Sequence, residues 1–373
     1  MPDRVTVEVY EAEAGRWTAA RRPQDGEHVA WVDAERRTGP VLDVGCGPGW
    51  SLGGLRPPRI ALDVSSAMLE LAAERAPDVA RVRAAAERLP VRPGGLGGAV
   101  ANRVLLHLPR TEVPLALAEL QRAIAVDAPA FVRVLGQRSG RDLRAHGEFA
   151  GRLFSTWTPG EFERLCIGAG FEIESTDAPD DRDVERQAAA SGDRPWELGL
   201  RLRRIRNLAD TVGPDMRLLV CGLNPSPSAA DAGVAFARPG NRFWPAAVAA
   251  GLVPESVDRR PVEALTDHGI GLTDLVKRVT RRADELGADE YRHGLDRVDR
   301  LVRWLQPAAV CFVGLAGWRA AVDRRAVPGP QVTSLGGRPV YLMPSTSGLN
   351  ASSSLADLAT HLAGAAELAD GSS

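Results

Sequence analysis

The sequence predicts an α/β protein of two domains, each a mainly parallel sheet flanked by helices. Three observations carry that reading. At 373 residues the chain exceeds one ordinary hydrophobic core. Short apolar runs alternate with helix-like runs on both sides of an acidic seam, the pattern of crossover units in parallel sheets. In the second half, the apolar runs 218–221 and 340–342 each empty into a polar loop, Gly222-Leu223-Asn224-Pro225-Ser226 and Met343-Pro344-Ser345-Thr346-Ser347-Gly348-Leu349-Asn350. Loops at the carboxyl ends of parallel strands converge on one crevice, so the two are expected to face one pocket.

In the first half the strand-like runs are 41–44, 60–63, 79–83, 98–101, 130–135 and 171–174, with a helical stretch from Ser66 to Arg75. Residues 177–200 read as a linker, acidic at Asp177, Asp180, Asp181 and Asp183 and then small at 188–192. Arginine-rich residues from Trp196 to Leu208 read as an amphipathic helix stopped by Gly213-Pro214. These readings give domains at 1–176 and 201–366 and a frayed tail at 367–373. No internal repeat is evident.

Composition narrows the function. Net charge is −2, so no global field draws the chain to nucleic acid, and any DNA contact rests on local patches. No run of about 18 apolar residues exists and Met1-Pro2-Asp3-Arg4 has no signal-peptide character, so a cytoplasmic protein without membrane attachment is expected. Cys46, Cys166, Cys221 and Cys311 are scattered, with no C-x-x-C. A four-cysteine iron-sulfur cluster is one reading; three of the four sit in apolar strand or helix patterns, which favours small buried hydrophobes and no metal.

After the first strand comes Asp43-Val44-Gly45-Cys46-Gly47-Pro48-Gly49, with Asp63 closing the next strand twenty residues after Asp43. Glycines let the backbone approach a ligand, and an acid at a second strand end accepts both hydroxyls of a ribose. A dinucleotide fingerprint needs glycine at position 50, where Trp50 stands; this spacing favours S-adenosylmethionine over NAD.

With residues 62–69, Ala86-Glu87-Arg88-Leu89-Pro90 and 158–171, residues 38–175 resemble the class I S-adenosylmethionine-dependent methyltransferases. The resemblance implies a Rossmann-like methyltransferase fold, S-adenosylmethionine as cofactor, and Asp43, Gly45, Cys46, Gly47, Asp63 and Glu87 around it. The family's adenine-binding aspartate, two residues before the glutamate, is Ala85 here, which removes about 1 kcal/mol of hydrogen bonding. An active methyltransferase and a non-catalytic relic are both compatible with that change. Residues 97–103 lack the Asn/Asp-Pro-Pro-Tyr pattern of DNA amino-methyltransferases. His107 reads either as a base or as a packing residue.

Beyond Asn224, Phe236 and Asn241-Arg242-Phe243-Trp244 follow at a fixed spacing before the second loop. Residues 200–365 resemble the mismatch-specific uracil-DNA and thymine-DNA glycosylases of the uracil-DNA glycosylase superfamily. The resemblance implies a uracil-DNA glycosylase-like fold, double-stranded DNA carrying a mismatched pyrimidine as substrate, and no cofactor for base removal. It places a water-positioning role on Asn224 and base contacts on Leu223, Ser226, Phe236 and Ser345. Gly348, Leu349 and Asn350 would form the wedge that fills the gap left by a flipped base.

An amide cannot act as a true base, and Met343 stands where other superfamily members carry histidine, so slow, mismatch-dependent turnover is expected. Asp274, at a position that varies between branches, reads as a group bearing on the pocket or as a helix N-terminal acid. Residues 277–282 are the expected phosphate-facing patch. Lys277 is the one lysine, a poor candidate for Schiff-base strand cleavage, so a monofunctional enzyme is expected. The rivals are methyl transfer as the main activity, with the second half targeting nucleic acid, and two non-catalytic binding domains.

Overall fold

The computed structural model describes residues 3–22, 26–180, 194–255 and 261–371. The chain divides into two compact units, Met1–Ile205 and Arg206–Ser373.

The first unit opens with two helices, α1 (Arg4–Ala19), capped by Asp3, and α2 (Glu27–Glu35). Strands β1 (Val41–Val44), β2 (Arg59–Asp63), β3 (Ala80–Arg83), β4 (Gly98–Asn102) and β5 (Pro129–Gly136) follow, with α3 (Ser66–Arg75) and α4 (Val113–Ala123) as crossovers. After them come β6 (Asp142–Arg144), β7 (Leu153–Trp157), α5 (Pro159–Gly168), β8 (Phe171–Asp177) and β9 (Trp196–Arg204). The nine-stranded sheet runs β3-β2-β1-β4-β5-β7-β6, with β9 antiparallel to both β5 and β8. Strand β1 lies between β2 and β4, so chain direction across the sheet reverses there and a crevice opens at its carboxyl end.

Two expectations fail here. Residues 196–204 form β9 instead of a helix: Leu198, Leu200 and Leu202 are fully buried at every second position, a strand period that arginines at 201, 203 and 204 disguised. Because β9 completes the first sheet, the unit boundary falls after Ile205, not within 177–200. Of the acidic seam, Asp181, Asp183 and the small residues 188–192 lie outside the described residues.

The second unit contains β10 (Leu218–Gly222), α6 (Pro227–Ala232), α7 (Phe243–Ala249), α8 (Pro261–His268), β11 (Ile270–Asp274) and α9 (Ala288–Leu305). It continues through β12 (Ala309–Val313), α10 (Ala316–Ala321), β13 (Gly329–Pro330), β14 (Val340–Met343) and α11 (Leu355–Asp370). The sheet order is β11-β10-β12-β14-β13, parallel except at the β13 edge. Strands β10, β11, β12 and β14 are buried along their lengths, as continuous apolar runs covered on both faces require. The tail is less frayed than expected: α11 continues to Asp370, Ala369 is buried in the core, and Asp370 pairs with Arg217 at 2.7 Å.

One buried ion cluster ties the second unit together. Asp210 accepts from Thr273 Oγ1 at 2.6 Å, from Lys277 Nζ at 3.0 Å and from Arg297 Nη1 at 2.6 Å. Burial opposes its charge, and the two cations with these hydrogen bonds hold its carboxyl below the usual range. Removing one partner would strand a buried charge, so Arg297→Met is expected to destabilise the unit by about 3 kcal/mol, read from a denaturant midpoint. A folded pKa below the unfolded one contributes stability above the unfolded pKa. That contribution is lost as pH falls through the folded value, so the variant's deficit shrinks in acid.

Candidate functional sites

In the second unit, β10 is flanked by β11 and β12, which makes its carboxyl end a topological switch point. The loop after it is zipped to the segment after β11 by Leu275 N–H to Gly222 O at 2.8 Å, Val276 N–H to Leu223 O at 2.9 Å and Thr280 N–H to Pro225 O at 3.2 Å. That zipper places Asn224 against Thr280. The Asn224 amide nitrogen donates to Arg278 O at 3.0 Å and Thr280 Oγ1 at 2.7 Å, while the Thr280 hydroxyl donates onward to Arg282 O at 2.8 Å. With the Thr280 proton committed, both neighbours act only as acceptors, which fixes the amide's orientation. Oδ1 therefore faces away and has no partner among the described residues.

Both polar loops line one cavity of about 650 Å³, with Leu223, Asn224 and Ser226 from the first and Ser345, Thr346, Ser347 and Leu349 from the second. Phe236 joins them at φ 60°, a left-handed conformation unusual for an aromatic residue. Its ring stacks on Phe243, centroids 4.1 Å apart, and Trp244 Nε1 anchors the preceding carbonyl, Ala235 O, at 2.8 Å. Such strain persists only where surroundings overdetermine it, and it is typical of ligand clamps.

Arg242 holds the second loop, donating to Ser347 O at 3.3 Å, to Asn350 O at 2.6 Å and to Ser353 O. Asn350 closes the loop internally through Ser345 O at 2.8 Å. Leu349 projects from this braced turn with 83 % of its surface exposed. At Gly348 a β-carbon would lie 2.8 Å from Gly240 O, so only glycine fits.

Asp274 ends β11 directly opposite Gly222, not at a helix N-terminus. Its carboxylate lines the cavity, 7 % exposed, with no hydrogen-bond partner among the described residues. Burial, helped by Asp210, raises its pKa to about 6 against the opposing pull of Lys277 and Arg297. A β-carbon on Gly222 would fall 2.5 Å from its Oδ1, so that glycine admits the carboxylate.

Of three other readings, that of the phosphate-facing patch changes. The Ser226 hydroxyl caps α6 by accepting from Ala229 N–H at 3.2 Å, and the residue also lines the cavity. Lys277 is buried on Asp210 and leaves the phosphate-facing patch, while Arg278 pairs with Glu290 and Arg282 with Asp284. Arg238 and Arg281 line the cavity without an ion pair among the described residues. Met343 is wholly buried in the core.

The first unit has its own cavity of about 430 Å³ at the end of β1. Gly45 and Gly47 take φ 63° and 51°, and a β-carbon on Gly45 would fall 2.4 Å from Val104. Gly47 N–H and Ser65 N–H donate to the two oxygens of Asp63, each at 2.9 Å. Asp43, 2 % exposed, keeps one oxygen without a partner, and burial with Asp63 beside it pushes its pKa to about 8. An unpaired buried carboxylate facing a cavity suits a ligand bearing a cationic or hydrogen-donating group. Glu87 also lines this cavity, buried, its carboxyl raised by that burial. Cys46 lies beside them, and all four cysteines are free and buried, as expected of small hydrophobes; no metal-binding cluster occurs among the described residues.

Sequence reading left Tyr10 and Trp17 on α1 unassigned, two aromatics at two-turn spacing that wall this cavity. Trp17 stacks on Trp50, centroids 5.2 Å apart. His107 packs as one of its two readings held: Nδ1 faces Leu153 O at 2.7 Å and so carries the proton, leaving Nε2 to accept from the Tyr10 hydroxyl at 2.8 Å. Burial drops its pKa to about 4.

Residues 209–365 match the model of the uracil DNA glycosylase superfamily, and residues 41–127 match that of a methyltransferase domain. Solved structures similar to the chain include an S-adenosylmethionine dependent methyltransferase from Mesorhizobium loti, 20% identical at TM-score 0.36, covering 48% of this chain and 96% of that one. The 1,6-didemethyltoxoflavin-N1-methyltransferase of Burkholderia thailandensis is 21% identical at TM-score 0.40, with coverages of 54% and 88%. A SAM-dependent methyltransferase from Methanosarcina mazei is 15% identical at TM-score 0.39, with coverages of 47% and 97%. No helix among the described residues is long and apolar enough to cross a membrane. The chain thus joins a methyltransferase domain to a domain of the uracil DNA glycosylase superfamily.

Proposed function

We propose that the second unit removes uracil, and more slowly thymine, from opposite guanine in double-stranded DNA, as a monofunctional glycosylase of base excision repair. The observation that carries this reading is the fixed amide of Asn224, whose Oδ1 is left without a partner among the described residues in a cavity that Asp274 and Phe236 also line. A flipped pyrimidine stacks on Phe236, while Leu349 enters the duplex in its place. Leu223 and Ser345 line the base's edge, and Arg238 and Arg281 meet phosphates at the rim.

The N1–C1′ bond breaks with its electron pair leaving on the pyrimidine, and a water held by Asn224 Oδ1 bonds to C1′. Asp274 takes the water's proton, a task an amide cannot perform. With the sole lysine buried on Asp210, no side-chain amine in the cavity attacks C1′, and the product is an intact strand with an abasic site. Uracil leaves more readily than thymine because it carries no methyl group to fit or to donate charge. Weak pairing lowers the cost of flipping, so G·U duplexes should be cut at least about tenfold faster than A·U under single-turnover conditions. Equal rates on the two would remove the mismatch requirement.

The first unit's residues fit S-adenosylmethionine. Asp63 and Glu87 would take the ribose and adenine side, the backbone of Gly45 to Gly47 the amino-acid tail, and Asp43 its cationic group. When bound, this cofactor supplies an electrophilic methyl group. Ala85 leaves the adenine amine one acceptor short, so binding is expected to be modest, and titration calorimetry with S-adenosylhomocysteine reads it directly.

A further inference from the structure

The cavity of the first unit contains a buried charge to which the cofactor contacts named above assign no role. Arg152, immediately before β7, is 7 % exposed and lines it. Its Nε donates to Phe149 O and its Nη1 to the Tyr10 hydroxyl, both at 3.0 Å. The guanidinium lies 5.4, 5.5 and 5.2 Å from the ring centroids of Tyr10, Phe149 and Phe154. No carboxylate approaches within 4.0 Å among the described residues. The neighbouring acids are committed: Asp3 to Arg144 at 2.6 and 2.7 Å, and Asp63 to the backbone of Gly47 and Ser65. A buried cation is kept only where something repays its lost hydration, and three ring faces do so in part.

Arg21 lines the same cavity, 5.8 Å from the Phe149 centroid, and adds positive charge. His107 adds none, since its tautomer is set by Leu153 O and the Tyr10 hydroxyl. Tyr10, Trp17, Trp50 and Phe154 add flat aromatic walls to the cavity. The geometry points to an aromatic carboxylate as the methyl acceptor, its carboxylate on Arg152 and its ring among these aromatics. This deepens the methyl-transfer reading of the first unit and rests on it. The cofactor's own carboxylate is the other source of such an anion, and the test separates the two.

The full chain, saturated with S-adenosylhomocysteine, is titrated by calorimetry with 4-hydroxybenzoate and with neutral 4-hydroxybenzamide. The carboxylate is expected to bind at least about tenfold tighter than the amide. Arg152→Gln should erase that preference while leaving S-adenosylhomocysteine affinity unchanged, and Arg152→Lys, which keeps the charge, should retain part of it. Should the glutamine variant fail to fold, the wild-type preference and the lysine variant decide. No preference in the wild type, or a preference that survives Arg152→Gln, overturns the proposal. So does a loss of S-adenosylhomocysteine affinity in Arg152→Gln with 5′-methylthioadenosine unaffected, which assigns the arginine to the cofactor. If the wild type binds no S-adenosylhomocysteine, the methyl-transfer reading itself falls, and this proposal with it.

Discussion

Replacing Asn224 with alanine is expected to lower single-turnover excision of uracil from a G·U duplex by about a hundredfold or more, with duplex affinity nearly unchanged. The amide contributes through orientation, because Thr280 and the Arg278 carbonyl fix which end faces the cavity. The same account predicts a smaller, related loss for Thr280→Val, which keeps the shape but removes both the acceptor for Nδ2 and the donor to Arg282 O. If Asn224→Ala excises uracil at the wild-type rate, the water is held elsewhere.

The second large effect belongs to Asp274. Burial raises its pKa to about 6, so the charged form that accepts a proton is the minor species below that pH and the major one above it. Excision should therefore climb with pH through about 6 and level off near neutrality. Asp274→Asn, similar in shape but unable to take the proton, should fall by about a hundredfold at pH 8 and lose this rising limb. A variant that keeps the limb would show that another group titrates. Since Lys277 and Arg297 oppose the raised value, Arg297→Met should shift the limb to higher pH, a readout that a purely structural role for the arginine would not move.

The fold was legible where the pattern was local. Continuous apolar runs marked β1, β10 and β14, and α3 spans the expected Ser66–Arg75. Strand β9 was misread because Arg201, Arg203 and Arg204 mimic the charged face of a helix, although Leu198, Leu200 and Leu202 keep the strand period that its pairing along β5 uses. Helix α1 passed unread because Val5, Val7 and Val9 alternate with a strand period and its aromatic pair gains meaning only beside Trp50 and His107.

At the candidate site of the second unit, Asn224, Phe236 and Leu349 stood out through the family resemblance of their loops. Three partnerships did not, because they join residues far apart in the chain. Thr280 meets Asn224 across 56 positions, Arg242 reaches Asn350 across 108, and Asp210 meets Arg297 across 87. The role of Asp274 was hidden for the same reason, since its environment depends on Gly222 from another strand and on the cations around Asp210.

The central claim is that the cavity between the two polar loops of the second unit hydrolyses the glycosidic bond of a mismatched pyrimidine. Its most direct measurement follows the full chain with an end-labelled G·U duplex, quantifying released uracil and alkali-labile strand in the same samples. The account predicts uracil and alkali-labile sites appearing in equal amounts, with the strand intact until alkali is added. Neither product forming, with or without S-adenosylmethionine, would contradict it.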